Sequence, residues 1–317
     1  MRTFKLLTFI RGAVPAHSFY SINLDSGRSA IRMDTPFDSL GFFHQVLGSC
    51  NALICLSRGR SNREILLWNP STKKFRVVQT MPMHYPPGSE GTFAIDRVGY
   101  DHVNDEYKVV RLSQSTGSDS NLVDSKVTIY SLKLNVWQTV EQDFRYHVCQ
   151  QRGQGVFCSG PMSHGVSVCG AVHWVVTQKP PPNINYLIAA FDLHRHSFQL
   201  VPQPEYSDKY VAVDLGILGG CLCVVGNHEQ GVDVWVMAKY GVKESWIKLI
   251  VMPFSHHMMN VCSCVKPLGY LKNGKQVLLE VDNQWFMRYN LEKKTWKLTK
   301  IRNVSHIPTL VYHESLA

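Results

Sequence analysis

Cysteine and histidine supply many of the donor atoms with which this chain could bind a metal or activate a nucleophile, nine of the first and fourteen of the second in 317 residues. Cys221-x-Cys223 and Cys262-x-Cys264 each place two thiols on one face of an extended strand. His256-His257 precedes the second pair, so a zinc site can be drawn from these residues. Structural zinc sites space their thiolates more widely, and Cys55, Cys169, Cys221 and Cys223 sit inside apolar runs where a small thiol packs as a hydrophobe. The expectation is therefore strand cysteines and no metal. An odd thiol count without a compact framework also points away from secretion, to the cytoplasm, the nucleus or both.

Carboxylates offer the other route to chemistry. Asp101, Asp105 and Glu106 cluster within VGYDHVNDEYKVVRL, Val98 to Leu112, a grouping that could hold a cation or share a proton. Asp and Asn are also turn formers, and β-rich halves flank them, so the cluster reads as a hairpin turn. His173, beside Trp174 in an apolar run, reads as a packed strand residue rather than a base. The sequence holds no Gly-x-Ser-x-Gly elbow, phosphate loop or His-Glu-x-x-His. No catalytic residue and no cofactor are expected.

The elements that would position any site repeat along the chain. In Trp68-Asn69-Pro70 with Phe75, Tyr130-Ser131-Leu132 with Trp137, Phe191-Asp192-Leu193 with Phe198 and Tyr289-Asn290-Leu291 with Trp296, an aromatic ends an apolar run and a turn follows. The second aromatic then stands seven residues on, where it can pack as a cross-strand partner. Trp235-Val236-Met237 is expected to reach its partner Trp246 after a four-residue insertion, and Ile22-Asn23-Leu24 leads into the turn Asp25-Ser26-Gly27. These starts recur every 44 to 62 residues, the interval of four-stranded propeller blades with variable loops. Apolar runs at Ala52–Leu56, Gly165–Val176 and Leu215–Gly226 suit strands buried near a central axis. The fold class expected is all-β, a propeller of six blades of four antiparallel strands in a single domain over residues 1–317. Thr309–Leu316 reads as a strand that pairs with FKLLTFI and SFYSINL near the start and closes the ring.

The formal net charge is +9. Its basic residues fall in turns and at alternating strand positions, as with Arg58, Arg60 and Arg63 or Lys293, Lys294 and Lys297, which is the pattern of a solvated face. An acidic partner protein fits this field as well as nucleic acid does, and nucleic-acid binding is not the function expected. No segment is long enough to span a membrane, and Phe4–Ile10 is too short and lacks the cleavage pattern of a secretory signal. Recognition is expected on the long inter-strand segments Met81–Gly91, Gln114–Asp124, Arg145–Gln154 and Pro180–Tyr186. Tyr and Arg are strong interface anchors, so Tyr85, Arg145, Tyr146 and Tyr186 are the candidate substrate-binding residues.

GSCNALICL (Gly48–Leu56), LLWNPSTKKFRVV, VGYDHVNDEYKVVRL, VTIYSLKLNVWQTV, VCGAVHWVV, AAFDLHRHSFQLVPQP and VDVWVMAKYGVKESWIKL occur in that order over nearly the whole chain. Together they resemble the plant F-box-associated domain of the F-box/kelch-repeat and S-locus F-box-like proteins. The resemblance implies a kelch-like propeller that acts as the substrate-recognition module of a Skp-cullin-F-box ubiquitin ligase, non-catalytic, binding a target protein through loops at one face. No F-box is legible ahead of Met1-Arg2-Thr3-Phe4, so a Skp-type adaptor and cullin are expected as partners only where an F-box is supplied. The alternative is a stand-alone or decoy binding propeller, and behind it a small-ligand-binding propeller or enzyme. Ala52 replaces the glycine usual in SCNGLICL, a change expected to tighten packing within a strand.

Overall fold

The structure is a computed structural model that describes residues 4–10, 18–23, 30–36, 43–58, 64–82, 85–118, 122–142, 144–149, 165–178, 185–206, 210–253, 264–282, 285–299 and 309–313. Strands are numbered in chain order. They form six antiparallel sheets arranged as a propeller.

The first sheet joins the two ends of the chain: β25 (Thr309–His313) lies inside β1 (Phe4–Ile10), followed outward by β2 (Ser18–Asn23) and β3 (Ala30–Arg32). The second runs β4 (Phe43–Cys50), β5 (Leu53–Arg58), β6 (Glu64–Trp68), β7 (Phe75–Gln79). The third runs β8 (Gly91–Asp101), β9 (Glu106–Thr116), β10 (Leu122–Ser131), β11 (Val136–Val140). In the fourth, β12 (His147–Val148) and β13 (Val166–Val168) pair with the same strand, β14 (Ala171–Thr177), which leads to β15 (Tyr186–Asp192) and β16 (Ser197–Leu200). The fifth is β17 (Ala212–Leu218), β18 (Cys221–His228), β19 (Gly231–Met237), β20 (Trp246–Pro253). The sixth is β21 (Val265–Tyr270), β22 (Gln276–Val281), β23 (Trp285–Asn290), β24 (Thr295–Thr299).

Contacts between inner strands run β25 to β4, β4 to β8, β8 to β13, β13 to β17, β17 to β21 and β21 back to β25, which closes a ring. Lys5 lies opposite Tyr312 and Leu7 opposite Leu310 in the pairing that unites the termini, as the sequence predicts. Pairing with β25 covers the inner edge that β1 would otherwise expose.

The repeated aromatic pairs mark the two outer strands of the blades. Trp68 faces Phe75, Tyr130 faces Trp137, Phe191 faces Phe198 and Tyr289 faces Trp296. In the fifth sheet the expected pair does not form: Trp235 faces Lys248, and Trp246 faces Met237. The longer turn 238–245, which holds the 3-10 segment Lys243–Ser245, moves the partner by two positions, and a register shift follows beyond it between Val234 and Trp235. Lys248 instead sets its ammonium over the Trp235 ring, 5.0 Å from the centroid. The turns between outer strands share one device. Asn69, Asp192 and Asn290 each accept two backbone N–H groups from the next residues through Oδ1, and Lys73, His196 and Lys294 complete the turns with positive φ. Ala52 proves to be a buried turn residue, not a strand residue, with neighbouring Asn51 at φ 51°.

The core lies between blades. Trp68 and Trp174 are fully buried, and truncating either to Ala removes roughly 3–5 kcal/mol. Side chains of one blade also bond to the backbone of its neighbour: Ser49 Oγ to the Val311 carbonyl at 2.7 Å, Ser167 Oγ to that of Val98 at 2.6 Å, and Trp246 Nε1 to that of Pro202 at 2.8 Å. Inner sites carry buried charge. Arg111 forks onto Asp96 at 2.7 and 2.9 Å, and Arg97 donates to the carbonyls of Gly165 and Asp96. Burial pulls the Arg97 guanidinium down to about 10.

Candidate recognition face

Strand direction alternates within each blade, so its connections sort into two sets at opposite ends of the ring. Links from an inner strand to the next, and from the third strand to the fourth, are short turns such as 51–52, 69–74, 102–105, 132–135 and 193–196. Links between the two middle strands, and from one blade to the next, hold the long connections: 80–90, 117–121, 141–165, 178–185, 201–211 and 254–264. Tyr85, Arg145, Tyr146 and Tyr186 all fall in the second set or at its borders, so the topology brings the four to one face.

Their presentation differs. Tyr85 is 66% exposed on a connection pinned by Arg111, whose Nη1 donates to the Met81 carbonyl at 2.9 Å, and by the Glu90 N–H, which donates to Thr116. Arg145 is exposed between Phe144 and Val148, both buried. Phe144 packs on Phe198 with ring centroids 4.2 Å apart, while buried Gln114 donates to the Tyr146 carbonyl at 2.7 Å and accepts from the Val148 N–H at 2.9 Å. Tyr146 is half-buried against Phe144, and Tyr186 is half-buried with its hydroxyl donating to the Val211 carbonyl at 3.0 Å. Burial raises the Tyr186 phenol above its usual range. Tyr85 and Arg145 are exposed at this face, whereas Tyr146 and Tyr186 are half-buried in it. His84 and residues 150–154 lie outside the described residues.

Two apolar residues at this face escaped the sequence reading. Val211, 63% exposed, sits over the Tyr186 hydroxyl, and its signal was a valine out of phase between buried Tyr210 and buried Val213. Val123, also exposed, falls where the pairing of β10 with β9 slips between Leu122 and Asp124. That slip sits at the end of a longer sheet. β9 runs eleven residues where the second strands of the other blades run six to eight. At about 3.3 Å per residue, blade three rises roughly 10 Å farther toward the long-connection face.

The residues read for chemistry are structural. Asp101 caps its turn by accepting from the Val103 and Asn104 N–H groups, and its second oxygen takes the Lys108 ammonium at 2.7 Å. His173 is buried, with Nε2 2.7 Å from the Tyr240 hydroxyl, and burial pulls it down to about 4. Cys221 and Cys223 lie on β18, Cys223 within the core. Among the described residues no group of three or more His, Cys, Asp or Glu is arranged to hold a metal; His256, His257 and Cys262 lie outside them. No helix of the described residues is long and apolar enough to cross a membrane.

A closed all-β ring of six antiparallel sheets, with long connections gathered at one end, defines the molecule as a β-propeller. The F-box associated beta propeller domain matches residues 16–317, and the chain belongs to that family. It is 33% identical to the F-box protein CPR1 of Arabidopsis thaliana over 94% of this chain and 72% of that protein. F-box protein At4g22390 of the same plant is 28% identical over 84% of this chain and 67% of its own length, and F-box/kelch-repeat protein At3g23880 is 27% identical over 75% and 59%. A solved oligogalacturonate lyase in complex with manganese aligns over 91% of this chain and 72% of that one with 10% identity and a TM-score of 0.49, too distant to bear on chemistry.

Proposed function

We propose that this chain is the target-recognition part of a Skp-cullin-F-box ubiquitin ligase, holding a protein substrate at the long-connection face without catalysing a reaction itself. Family membership supports the class, and one structural observation supports the face: Tyr85, Arg145 and Val211 on connections and Val123 at the start of β10 are all exposed at the same end of the ring. Large aromatics and arginine beside small apolar groups are the composition of an interface centre. Adaptor and cullin would join through an F-box supplied with the propeller, and the cytoplasm or nucleus is where such a ligase would work. A decoy role, binding the same target without recruiting the ligase, uses the same face.

The test is capture of target proteins from plant extract by the chain fused to an F-box. Tyr85→Ala with Arg145→Ala should reduce capture of specific targets while leaving the urea midpoint unchanged. Retention of every target by the double variant overturns the assignment of the face. Adaptor binding measured on the chain with and without the fused F-box separates ligase receptor from decoy.

A further inference from the structure

The opposite end of the ring is not neutral. Along the sequence, all the links at the tight-turn end together carry Lys and Arg over Asp and Glu by eleven to four, whereas all the links at the other end, long and short, are balanced at nine to ten. Most of the net charge therefore belongs to the end that the substrate reading leaves idle. Within it, blades two, three and four form one continuous patch, and contacts between their turns establish the continuity. Arg76 donates through Nη1 to the Leu132 carbonyl at 3.0 Å and through Nη2 to Asn135 at 3.1 Å; Lys133 reaches the Asn104 carbonyl at 3.5 Å; Asn104 Nδ2 lies 3.3 Å from His194 Nδ1.

At the middle of that patch stand two apolar side chains with no structural use for their position. Val103, at the tip of the β8–β9 turn, is 68% exposed, and Leu134, at the tip of the β10–β11 turn, is 65% exposed. Lys74, Arg76, Lys133 and Arg195 rim them, all exposed. Asp101 is buried under Lys108, which leaves Asp105 as the exposed carboxylate in these turns. An apolar centre within a cationic rim is the arrangement of a protein interface, where desolvated side chains hold and rim charges steer and select.

We propose that this patch docks an acidic polypeptide segment carrying an apolar anchor, a second partner bound at the end of the propeller away from the long connections. The anchor would sit on Val103 and Leu134, with flanking Asp or Glu side chains meeting Lys133 and Arg195. Single-stranded nucleic acid is a poorer fit, because such sites stack successive bases on aromatic side chains, whereas the centre of this patch is Val103 and Leu134 and the exposed aromatic Phe75 stands at its margin. The inference stands apart from the ligase reading: it rests on the tight-turn end alone and holds whatever the long connections bind.

The experiment uses the full chain and a fluorescent peptide of Asp and Glu with one central Leu, beside the same peptide with Ser at the centre, a DNA duplex and phosphatidylserine vesicles. Binding of the Leu peptide should weaken about tenfold with Lys133→Glu/Arg195→Glu and comparably with Leu134→Ser, and should fall with added salt. Arg32→Glu/Lys126→Glu, which removes the same charge from strands elsewhere, should leave it nearly unchanged. Equal loss in both double variants would mean that net charge alone attracts the peptide and would overturn the site. Equal binding of the Leu and Ser peptides would remove the apolar anchor from it, and tighter binding of duplex or vesicles would overturn the class of partner.

Discussion

Lys108 decides what the Asp101 cluster is. Three carboxylates within six residues suit a cation site, but the ammonium of Lys108, itself buried, lies 2.7 Å from Asp101 and 3.3 Å from Glu106 and donates to the Leu193 carbonyl at 2.8 Å. Burial alone would raise the Asp101 carboxyl; hydrogen bonds from Lys108 and Asn104 outweigh it and hold the group well below the usual carboxylate range. A depressed carboxyl contributes stability that is present above its unfolded value, about 3.9, and is lost as pH falls toward the folded value. Lys108→Met should cost about 3–5 kcal/mol at pH 7, because it strands a buried carboxylate. Urea midpoints should show the gap between wild type and variant narrowing as pH is lowered from 7 to 3, when protonation relieves the stranded charge. The thiols follow the same logic of burial: desolvation pushes Cys50 and Cys149 up to about 12 and Cys55 and Cys223 higher still. Exposed Cys169, in the turn between β13 and β14, should therefore be alkylated first among the described cysteines when iodoacetamide labelling at pH 8 is followed by mass spectrometry.

Hairpins were the most legible elements, because their code is local. An aromatic, an Asn, Asp or Ser, and a second aromatic seven residues on state both turn and register, and four such pairs lie opposite each other across the strands. The Trp235 pair was misread because spacing does not show where a longer turn begins and ends, and the Lys248 ammonium that replaces Trp246 is two residues away in a strand of ordinary pattern. The projecting end of blade three was equally hidden, since Gln114, Ser115 and Thr116 read as loop but continue β9. Thr92 and Ser115 join hydroxyls at 2.9 Å across that extension, a polar pairing that hydrophobic periodicity does not register. Glycines at element ends separate conformational need from space. Gly165 and Gly220 both hold positive φ, but a Cβ on Gly165 would meet the His173 carbonyl oxygen at 2.4 Å, and one on Gly220 would meet nothing within 4 Å. Gly220→Ala should cost about 1 kcal/mol from its dihedral alone, and Gly165→Ala clearly more, because backbone cannot move aside as a side chain can. Thermal midpoints of the two variants check the order.

At the scale of the whole molecule, the ring assigns roles that no single segment carries. The four candidate residues lie on three loops far apart in sequence, and only the alternation of strand direction around six sheets puts them at one end and the basic turns at the other. That division of ends depends on closure, so closure is the property to test. β25 is the inner strand of the first sheet, and it is the last strand of the chain. It pairs with β1 along its length, buries Tyr312 in a cluster with Phe19, Ile54, Leu56, Leu66 and Trp68, and offers the Val311 carbonyl to Ser49 in the second sheet. Deleting residues after Pro308 removes these contacts together, leaves β1 with an unpaired inner edge and breaks the contact of β21 with β25. A propeller is a cycle of nearest-neighbour interfaces, so this loss should be felt at both adjoining blades and not confined to one. The truncated chain should unfold at a much lower urea concentration than the full chain, with hydrogen exchange accelerated in β4 and β21 as well as in β1. Tyr312→Ala removes the buried ring but keeps the strand, and should lower the midpoint by an intermediate amount, roughly 3 kcal/mol of stability. A truncated protein that kept the midpoint of the full chain would mean that the first sheet adds no stability to the ring, and the shared fate of its two faces would have to be explained by the other five sheets.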